Sequence, residues 1–228
     1  MEPSPALDSQ RLLCITDLHG RLAMLSKILA AAGPVDVILL GGDITNFGSP
    51  SDADKAIDLA RRSAPRVFAV AGNCDSADID RRLVELGVSL SGRGAMCNSL
   101  ALCGVSAMPP WKTGMYQFTE EHLTELLHAG LGEVNAPRRV VLAHAPPRDT
   151  ALDRTIFGQH VGSIALRQFI ERAEPDLVVC GHIHEGRGVE RIGRTTVVNC
   201  GHAAVGEYAL ADVGQQVNVA LHTAYRES

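Results

Sequence analysis

The chain of 228 residues is 46% hydrophobic and carries a formal net charge of −5 at pH 7. This length and composition suit one domain with a sizeable core, so we predict a single domain over residues 1–228. The negative charge and the absence of any Lys/Arg block argue against a general nucleic-acid surface, which would need a basic stripe.

The amino-terminal segment, residues 1–10, contains two prolines and two acidic residues, and we predict that it is flexible. It lacks the basic start and the apolar stretch of a signal peptide. No apolar stretch reaches the roughly 20 residues of a membrane span, so no membrane association is expected. The six cysteines lie in or beside apolar runs without a close C-x-x-C pair. This distribution favours a reduced, cytoplasmic protein with buried thiols.

Five short apolar runs, rich in Val, Ile and Leu, predict strands that are buried on both faces of a largely parallel sheet. They cover residues 12–16, 35–40, 67–70, 140–143 and 177–180. Helical spacing of apolar residues begins at Leu22, and Gly33-Pro34 ends this helix before the next strand. Further helices are predicted at about residues 52–63, 77–86, 119–129 and 162–173.

The pattern changes in the last quarter of the chain. Residues 189–192 and 195–199 flank Gly193-Arg194, which predicts a hairpin with a two-residue turn. Residues 207–212 and 216–222 predict a second antiparallel pair. Parallel units followed by antiparallel hairpins predict an α/β fold with two stacked sheets flanked by helices.

Each predicted parallel strand ends at residues that can bind metal ions. These patches read Asp17-Leu18-His19, Gly41-Gly42-Asp43, Gly72-Asn73-Cys74-Asp75, Ala143-His144 and Gly181-His182-Ile183-His184. In such sheets the ligand site lies off the carboxyl ends of the strands, so we expect the patches at one edge of a sheet. Residues two apart on extended backbone share a face, so the two members of each D-x-H or H-x-H pair can project into one site.

The types of donor favour particular ions. Carboxylate, amide and imidazole groups without a thiolate favour Mn, Fe, Zn, Co or Ni over a structural zinc site built on cysteine. A single carboxylate, Asp43, could bridge two ions about 3.5–4 Å apart, the spacing typical of two-metal hydrolases.

In this order the patches resemble the calcineurin-like metallophosphoesterase superfamily, whose signature reads D-x-H, G-G-D, G-N-H-D/E, a His after a strand, and G-H-x-H. The resemblance runs from Asp17 to His184 and implies a four-layer αββα sandwich with a small phosphoester substrate. It also implies two sets of metal ligands that share Asp43. The first set is Asp17, His19, Asp43 and His184, and the second is Asp43, Asn73, His144 and His182.

The chain departs from the signature at Cys74, where most members have a histidine that helps protonate the leaving group and bind phosphate. Losing a general acid typically costs about 10²–10⁴ in rate, and least with a good leaving group. Some bacterial phosphodiesterases of the superfamily look similar in carrying Cys here. We therefore expect a phosphodiesterase more than a phosphomonoesterase, with Asp43, Asn73 and Cys74 as its catalytic residues.

The expected mechanism uses two divalent ions, manganese first, with Fe, Zn, Ni or Co as alternatives. Two ions that share Asp43 would lower the pKa of a bridging water toward about 7, and the hydroxide would attack phosphorus in line. Arg148 and Arg187 are candidate phosphate contacts, and Trp111 could stack on a ring of the substrate. The alternative for the two arginines is a position on the solvated surface. The alternative for Trp111 is a hydrophobic lid or a dimer contact, so a homo-oligomer is left open.

Three further expectations complete the analysis. The alternative function is a non-catalytic scaffold or interaction module, because the retromer scaffold subunit looks like a member that lost function around the position of Cys74. A scaffold has no reason to retain all seven ligands, however. Asp75 is expected to cap the helix that follows it. The five remaining histidines are expected to lie outside the site: His122, His128, His160, His202 and His222. For His160 and His202, a position facing the cleft is left open.

Overall fold

A computed structural model describes residues 9–224. Residues 1–8, most of the segment predicted to be flexible, lie outside the described residues, and Gln10 already opens the first strand. The described elements are β1 (Gln10–Ile15), α1 (Leu22–Ala32), β2 (Val37–Gly41), α2 (Pro50–Arg61), β3 (Arg66–Val70), α3 (Ala77–Glu85), β4 (Gly94–Cys97), β5 (Leu100–Val105), α4 (Glu120–Gly132), β6 (Arg138–Ala143), α5 (Ile164–Ala173), β7 (Leu177–Cys180), β8 (Gly188–Ile192), β9 (Thr195–Asn199), β10 (Glu207–Val213) and β11 (Val217–Thr223).

The strands form two mixed sheets. The first has the order β11-β10-β1-β2-β3, and the second has the order β4-β5-β6-β7-β9-β8. The predicted parallel strands pair in parallel, β1 with β2 and β2 with β3 in one sheet, and β6 with β7 in the other. Both predicted hairpins are present as antiparallel pairs, β8 with β9 and β10 with β11.

Alternation along the strands builds three apolar layers. In β1, Leu12 and Cys14 point into the layer between the two sheets, whereas Leu13 and Ile15 point toward the helices that cover the first sheet. The helices α1, α2 and α3 cover this sheet, and α4 and α5 cover the second. Full burial of one such Leu or Ile side chain contributes about 1.5–3 kcal/mol. The predicted four-layer αββα sandwich is confirmed.

The helices begin at recognisable signals. Ser49 and Asp52 form a capping box at the start of α2, with Pro50 in its first turn. The side chains of Thr119 and Ser163 accept backbone N–H groups at the starts of α4 and α5. These signals set where each helix starts, and therefore where the preceding loop is held.

One expectation about the sheets is corrected. The five patches of candidate metal ligands do not lie at the edge of one sheet, because β1, β2 and β3 belong to the first sheet while β6 and β7 belong to the second. They meet instead where the strand ends of both stacked sheets lie together. Among the described residues, no helix is long and apolar enough to cross a membrane.

Candidate metal centre

The loops that carry the candidate ligands have an unusual backbone. Asp17, His19, Asp43 and His182 have φ angles of 58°, 47°, 46° and 68°. Residues other than glycine are uncommon in this left-handed region, although Asp and His tolerate it better than most. Such strained conformations cluster at functional sites, where the surrounding structure holds them in place.

Backbone hydrogen bonds join the loops to each other. The N–H of Asp17 donates to the carbonyl of Gly42 at 3.0 Å, and the N–H of His19 donates to the carbonyl of Asp43 at 2.8 Å. A Cβ at Gly72 would collide with the backbone and carboxylate of Asp43. The close approach of these loops therefore requires glycine at position 72, which explains the Gly-Asn sequence in physical terms.

The first group of candidate ligands surrounds the ends of β1 and β2. His184 Nε2 lies 3.2 Å from Asp17 Oδ1, and His19 Nε2 lies 3.7 Å from Asp43 Oδ2. The other Asp17 oxygen accepts the backbone N–H of His182 at 2.9 Å. The four residues expected to hold the first ion are thus brought together.

The second group lies on the other side of Asp43. His144 Nε2 is 2.8 Å from Asn73 Oδ1 and 3.5 Å from Asp43 Oδ1. His144 Nδ1 lies 3.0 Å from the carbonyl of Gly41, which fixes Nδ1 as the protonated nitrogen and leaves Nε2 to face the site. The ring of His182 lies 5.0 Å from that of His144. Burial, and then the charge of His144, lower the pKa of His182 to about 3, so this imidazole is neutral.

The charges in the centre fit divalent cations. Asp17 and Asp43 are 0% and 2% exposed, and the basic side chains that approach them are histidines. Burial by itself raises the pKa of Asp17, but its hydrogen bond with His184 and the charge of His144 outweigh this effect, so its pKa lies below the usual range. Buried carboxylates without a full compensating charge cost several kcal/mol each. Bound cations would supply that charge, and the donor set of carboxylates, imidazoles and an amide suits them.

Comparison with known proteins identifies the family of the chain. The family model of the calcineurin-like phosphoesterases matches residues 10–186, which is most of the chain. The chain belongs to this family. An uncharacterised protein of Methanocaldococcus jannaschii is 30% identical over 200 residues, which cover 83% of this chain and 87% of that protein. A probable cyclic nucleotide phosphodiesterase of Synechococcus is 25% identical over 72% of this chain and 64% of its own length.

Solved structures show the same fold. The crystal structure of a Thermus thermophilus protein superposes with a TM-score of 0.75 at 19% identity, and the match covers 96% of this chain and all of that one. The phosphopantetheinyl hydrolase of Mycobacterium tuberculosis superposes with a TM-score of 0.63 at 15% identity, over 84% of this chain and 89% of that one. At these identities the likeness extends to the fold alone.

Asp75 of this phosphoesterase does not cap a helix, which corrects our expectation. Ser76 caps α3 instead, because its side chain accepts the N–H of Ile79. The Asp75 carboxylate accepts the backbone N–H groups of Ile44, Thr45 and Gly72 at 3.1, 2.9 and 2.8 Å. It therefore holds the loop that carries Asp43 against the loop that carries Asn73.

Cys74 is buried beside the centre. Its backbone N–H donates to Asp43 Oδ1 at 2.7 Å, and Asn73 Nδ2 donates to its sulfur at 3.2 Å. Burial, and then the charge of Asp43, raise the pKa of the Cys74 thiol far above its usual value. The thiol therefore stays protonated and is a weak hydrogen-bond donor, so it replaces a histidine acid poorly.

Asn199 stabilises the G-H-x-H loop, and no sequence pattern predicted this role. The buried amide of Asn199, at the end of β9, donates to the carbonyls of Gly181 and Ile183 at 3.2 and 2.8 Å. It also donates to the carbonyl of Leu152 at 3.1 Å. The only available signal was a polar residue at the end of an apolar run, which is too common to identify a role.

The sequence left open whether His202 lies outside the site or faces the cleft. In the structure it faces the centre. Its ring stacks on that of His184, with 3.9 Å between centroids, and lies edge-on to His19 at 5.3 Å. Nitrogen atoms of His19, His184 and His202 all lie within 4.8 Å of one another. No motif marked this residue, because it belongs to the connection from β9 to β10.

A cavity of about 570 Å³ opens beside the second ligand group. Trp111 and Arg148 both line it, together with Val161 and Ile164. The indole of Trp111 is 51% exposed and lies edge-on to His182 with 5.9 Å between ring centroids. Glu120, Gln159 and His160 line it as well, so this cavity combines an apolar surface with one guanidinium and one carboxylate next to the candidate ligands.

The expected substrate contact from Arg187 is not supported. Its guanidinium donates to the carbonyls of Cys200 and His222, at 3.4 and 2.7 Å, and lies 3.6 Å from a carboxylate oxygen of Glu207. These partners tie together the segments around β9, β10 and β11. Arg187 is therefore a structural residue that fixes the connection carrying His202.

Proposed function

We propose that this calcineurin-like phosphoesterase is a two-metal enzyme that hydrolyses phosphodiesters in preference to phosphomonoesters. The arrangement of candidate ligands around the buried, shared Asp43 carries this proposal. Among the described residues, seven candidate metal ligands from five loops converge there: Asp17, His19, Asp43, Asn73, His144, His182 and His184.

The residues would hold two ions in two sets. Asp17, His19 and His184 would complete the first set around Asp43, and the second would use Asn73, His144 and His182. Two bound divalent ions, which we propose to be manganese, act as Lewis acids on phosphoryl oxygens and supply a nucleophile from water at neutral pH.

The chain's own groups would orient the substrate. The Asn73 amide lies beside both His144 and the Cys74 sulfur, so it is placed to hold a phosphoryl oxygen as well as an ion. The cavity at Trp111 and Arg148 would take one organic substituent of a diester, with the indole against an apolar or ring-shaped group and the guanidinium against an anionic one.

Two observations support a preference for diesters. Cys74 provides no effective acid, and a diester with a good leaving group needs an acid least. The Synechococcus relative is named as a probable cyclic nucleotide phosphodiesterase, which is consistent with diester chemistry in the family.

The test begins with apoprotein reconstituted with manganese. Hydrolysis of an activated aryl phosphodiester is compared with that of the matching monoester, with His144→Ala as the negative control. We expect the diester to be turned over faster than the monoester and the variant to be inactive. Faster turnover of the monoester would overturn the diester preference, and metal binding without any turnover, across diesters with different organic groups, would favour the non-catalytic module.

A further inference from the structure

The ring of His202 lies against the candidate metal centre although no signature motif contains it. It belongs to the connection between β9 of the second sheet and β10 of the first sheet. Its plane is within 16° of the plane of His184, at a centroid distance of 3.9 Å. The connection thus places an additional imidazole against the first group of candidate ligands.

The backbone holds His202 firmly in this position. Its N–H donates to a carboxylate oxygen of Glu207 at 2.8 Å. The next two residues, Ala203 and Ala204, donate their N–H groups to the carbonyls of Thr16 and Asp17 at 3.0 and 3.1 Å. Because the same strand end carries the Asp17 ligand, the position of His202 is fixed relative to the centre.

The stacked arrangement argues against His202 as a ligand of the same ion as His184. An imidazole binds a metal through a lone pair in the plane of its ring. Two nearly parallel rings that are stacked face to face cannot both direct such lone pairs at one ion. Within residues 9–224, no hydrogen bond occupies the ring nitrogens of His202, which leaves them available to a substrate.

His202 shares a neighbour with Cys74, the position where the chain departs from the family signature. The Cys74 sulfur lies within 4.8 Å of a His19 nitrogen and an Asp43 oxygen, and a His202 nitrogen lies within 4.8 Å of a nitrogen of the same His19. Cys74 and His202 therefore both adjoin His19.

We propose that the ring N–H of His202 donates a hydrogen bond to the departing oxygen of the phosphoester. This inference rests on the proposed function. In the reaction, an oxygen from water forms a new bond to phosphorus while the bond from phosphorus to the alcohol oxygen breaks. One proton of the water ends on the alcohol and the other is released or stays on the phosphate. His202 stabilises the negative charge that grows on the departing oxygen.

The test uses the full chain loaded with manganese and compares two variants. His202→Ala removes both the stacking and the N–H, whereas His202→Phe keeps an aromatic ring against His184 and removes only the donor. His222→Ala is the matched control, because the ring of His222 also stacks on an aromatic ring, that of Tyr208, but outside the centre. Rates are measured on aryl phosphodiesters whose phenols differ in acidity, together with bound manganese and the affinity for inorganic phosphate.

We expect both His202 variants to retain two manganese ions and to bind inorganic phosphate about 10-fold more weakly, the effect of one hydrogen bond to a charged group. Their loss in rate should grow from about 10-fold with the most acidic phenol to about 100-fold with the least acidic. The control should match the wild type in every measurement.

Three results would overturn the inference. A His202→Phe variant with wild-type rates would show that only stacking matters, and loss of one ion in both variants would show that His202 is a ligand. A loss in rate that is equal for all phenols would exclude contact with the departing oxygen. If the wild type binds phosphate and manganese but hydrolyses no ester, the proposed function fails; if the wild type is active and the variants match it, only the role of His202 fails.

Discussion

Replacing Asp75 by Asn tests how the two central loops are held together. Asp75 is 5% exposed, and its carboxylate accepts four hydrogen bonds. Oδ1 accepts the N–H and the hydroxyl of Thr45, and Oδ2 accepts the N–H groups of Ile44 and Gly72. An amide has only one acceptor oxygen, so in either orientation at least one backbone N–H faces an NH₂ group and loses its partner.

The magnitude follows from this count. In the better orientation the amide oxygen keeps the hydrogen bonds from the N–H groups of Ile44 and Gly72. The Thr45 hydroxyl then rotates to accept from the NH₂ group. The Thr45 N–H is left buried without an acceptor. A hydrogen bond to a charged group contributes about 1.5–3 kcal/mol, and a buried unpaired donor costs about 1–3 kcal/mol. The neutral amide also removes the burial cost and the repulsion from Asp43 that raise the pKa of Asp75, so we expect Asp75→Asn to lower the free energy of unfolding by about 1–2 kcal/mol.

Urea unfolding of the metal-free proteins at pH 8 measures this difference. Burial, and then the charge of Asp43, raise the pKa of Asp75 to about 6, so its carboxyl group is ionised at pH 8. Asp78→Asn is the control, because Asp78 forms only an exposed ion pair with Arg81, and we expect a change of at most about 0.5 kcal/mol. An Asp75→Asn protein as stable as the control would refute the reasoning.

The remaining predictions concern the site and its supports. Cys74→His should raise the rate with an aryl monoester relative to the matching diester, measured as a ratio of kcat/KM values; an unchanged ratio would mean that Cys74 only packs. Trp111→Ala should raise KM several-fold for diesters with ring-shaped substituents and change KM little for a dimethyl phosphodiester, and equal effects on both would argue against the cavity as a substrate site. Arg187→Ala should lower the thermal midpoint by several degrees, since it removes the ties to Cys200 and His222, and an unchanged midpoint would contradict its structural role.

Much of the fold could be predicted because the local pattern and the final structure agree. The parallel strands are continuous apolar runs, and a strand buried on both faces requires such a run. The turn at Gly193, where φ is 57°, specified the hairpin of β8 and β9. The antiparallel pair of β4 and β5 was not predicted. Its two-residue turn is Asn98-Ser99, where Asn98 has a φ angle of 51°, and this dipeptide is a weaker hairpin signal than Asn-Gly or Asp-Gly.

The partition of strands between two sheets could not be predicted in the same way. Residues in β1 pair with β10, which lies near the other end of the chain, and the connection from β9 to β10 crosses from one sheet to the other. Such pairings depend on long-range contacts that no local window contains. His202 lies on that connection, and for this reason its place beside the centre was only one of two alternatives.

Asp75 shows a different limit. An acidic residue close to the start of a helix is typical of an N-cap, but here the next residue, Ser76, caps the helix. The partners of Asp75, Ile44 and Thr45, come from another loop, and only the folded chain brings them within hydrogen-bonding distance. Local sequence identifies donors and acceptors, whereas tertiary structure selects the pairs.

Metal counting in the wild type and in Asp43→Asn tests the central claim most directly. Each protein is stripped with chelator, reconstituted with manganese and analysed by elemental mass spectrometry, with Asp78→Asn as the control for loss of one surface carboxylate. If Asp43 joins two ligand sets, we expect about two ions per chain in the wild type and the control, and loss of both ions in Asp43→Asn. Two ions retained by Asp43→Asn, or no more than one in the wild type, would contradict the two-metal centre.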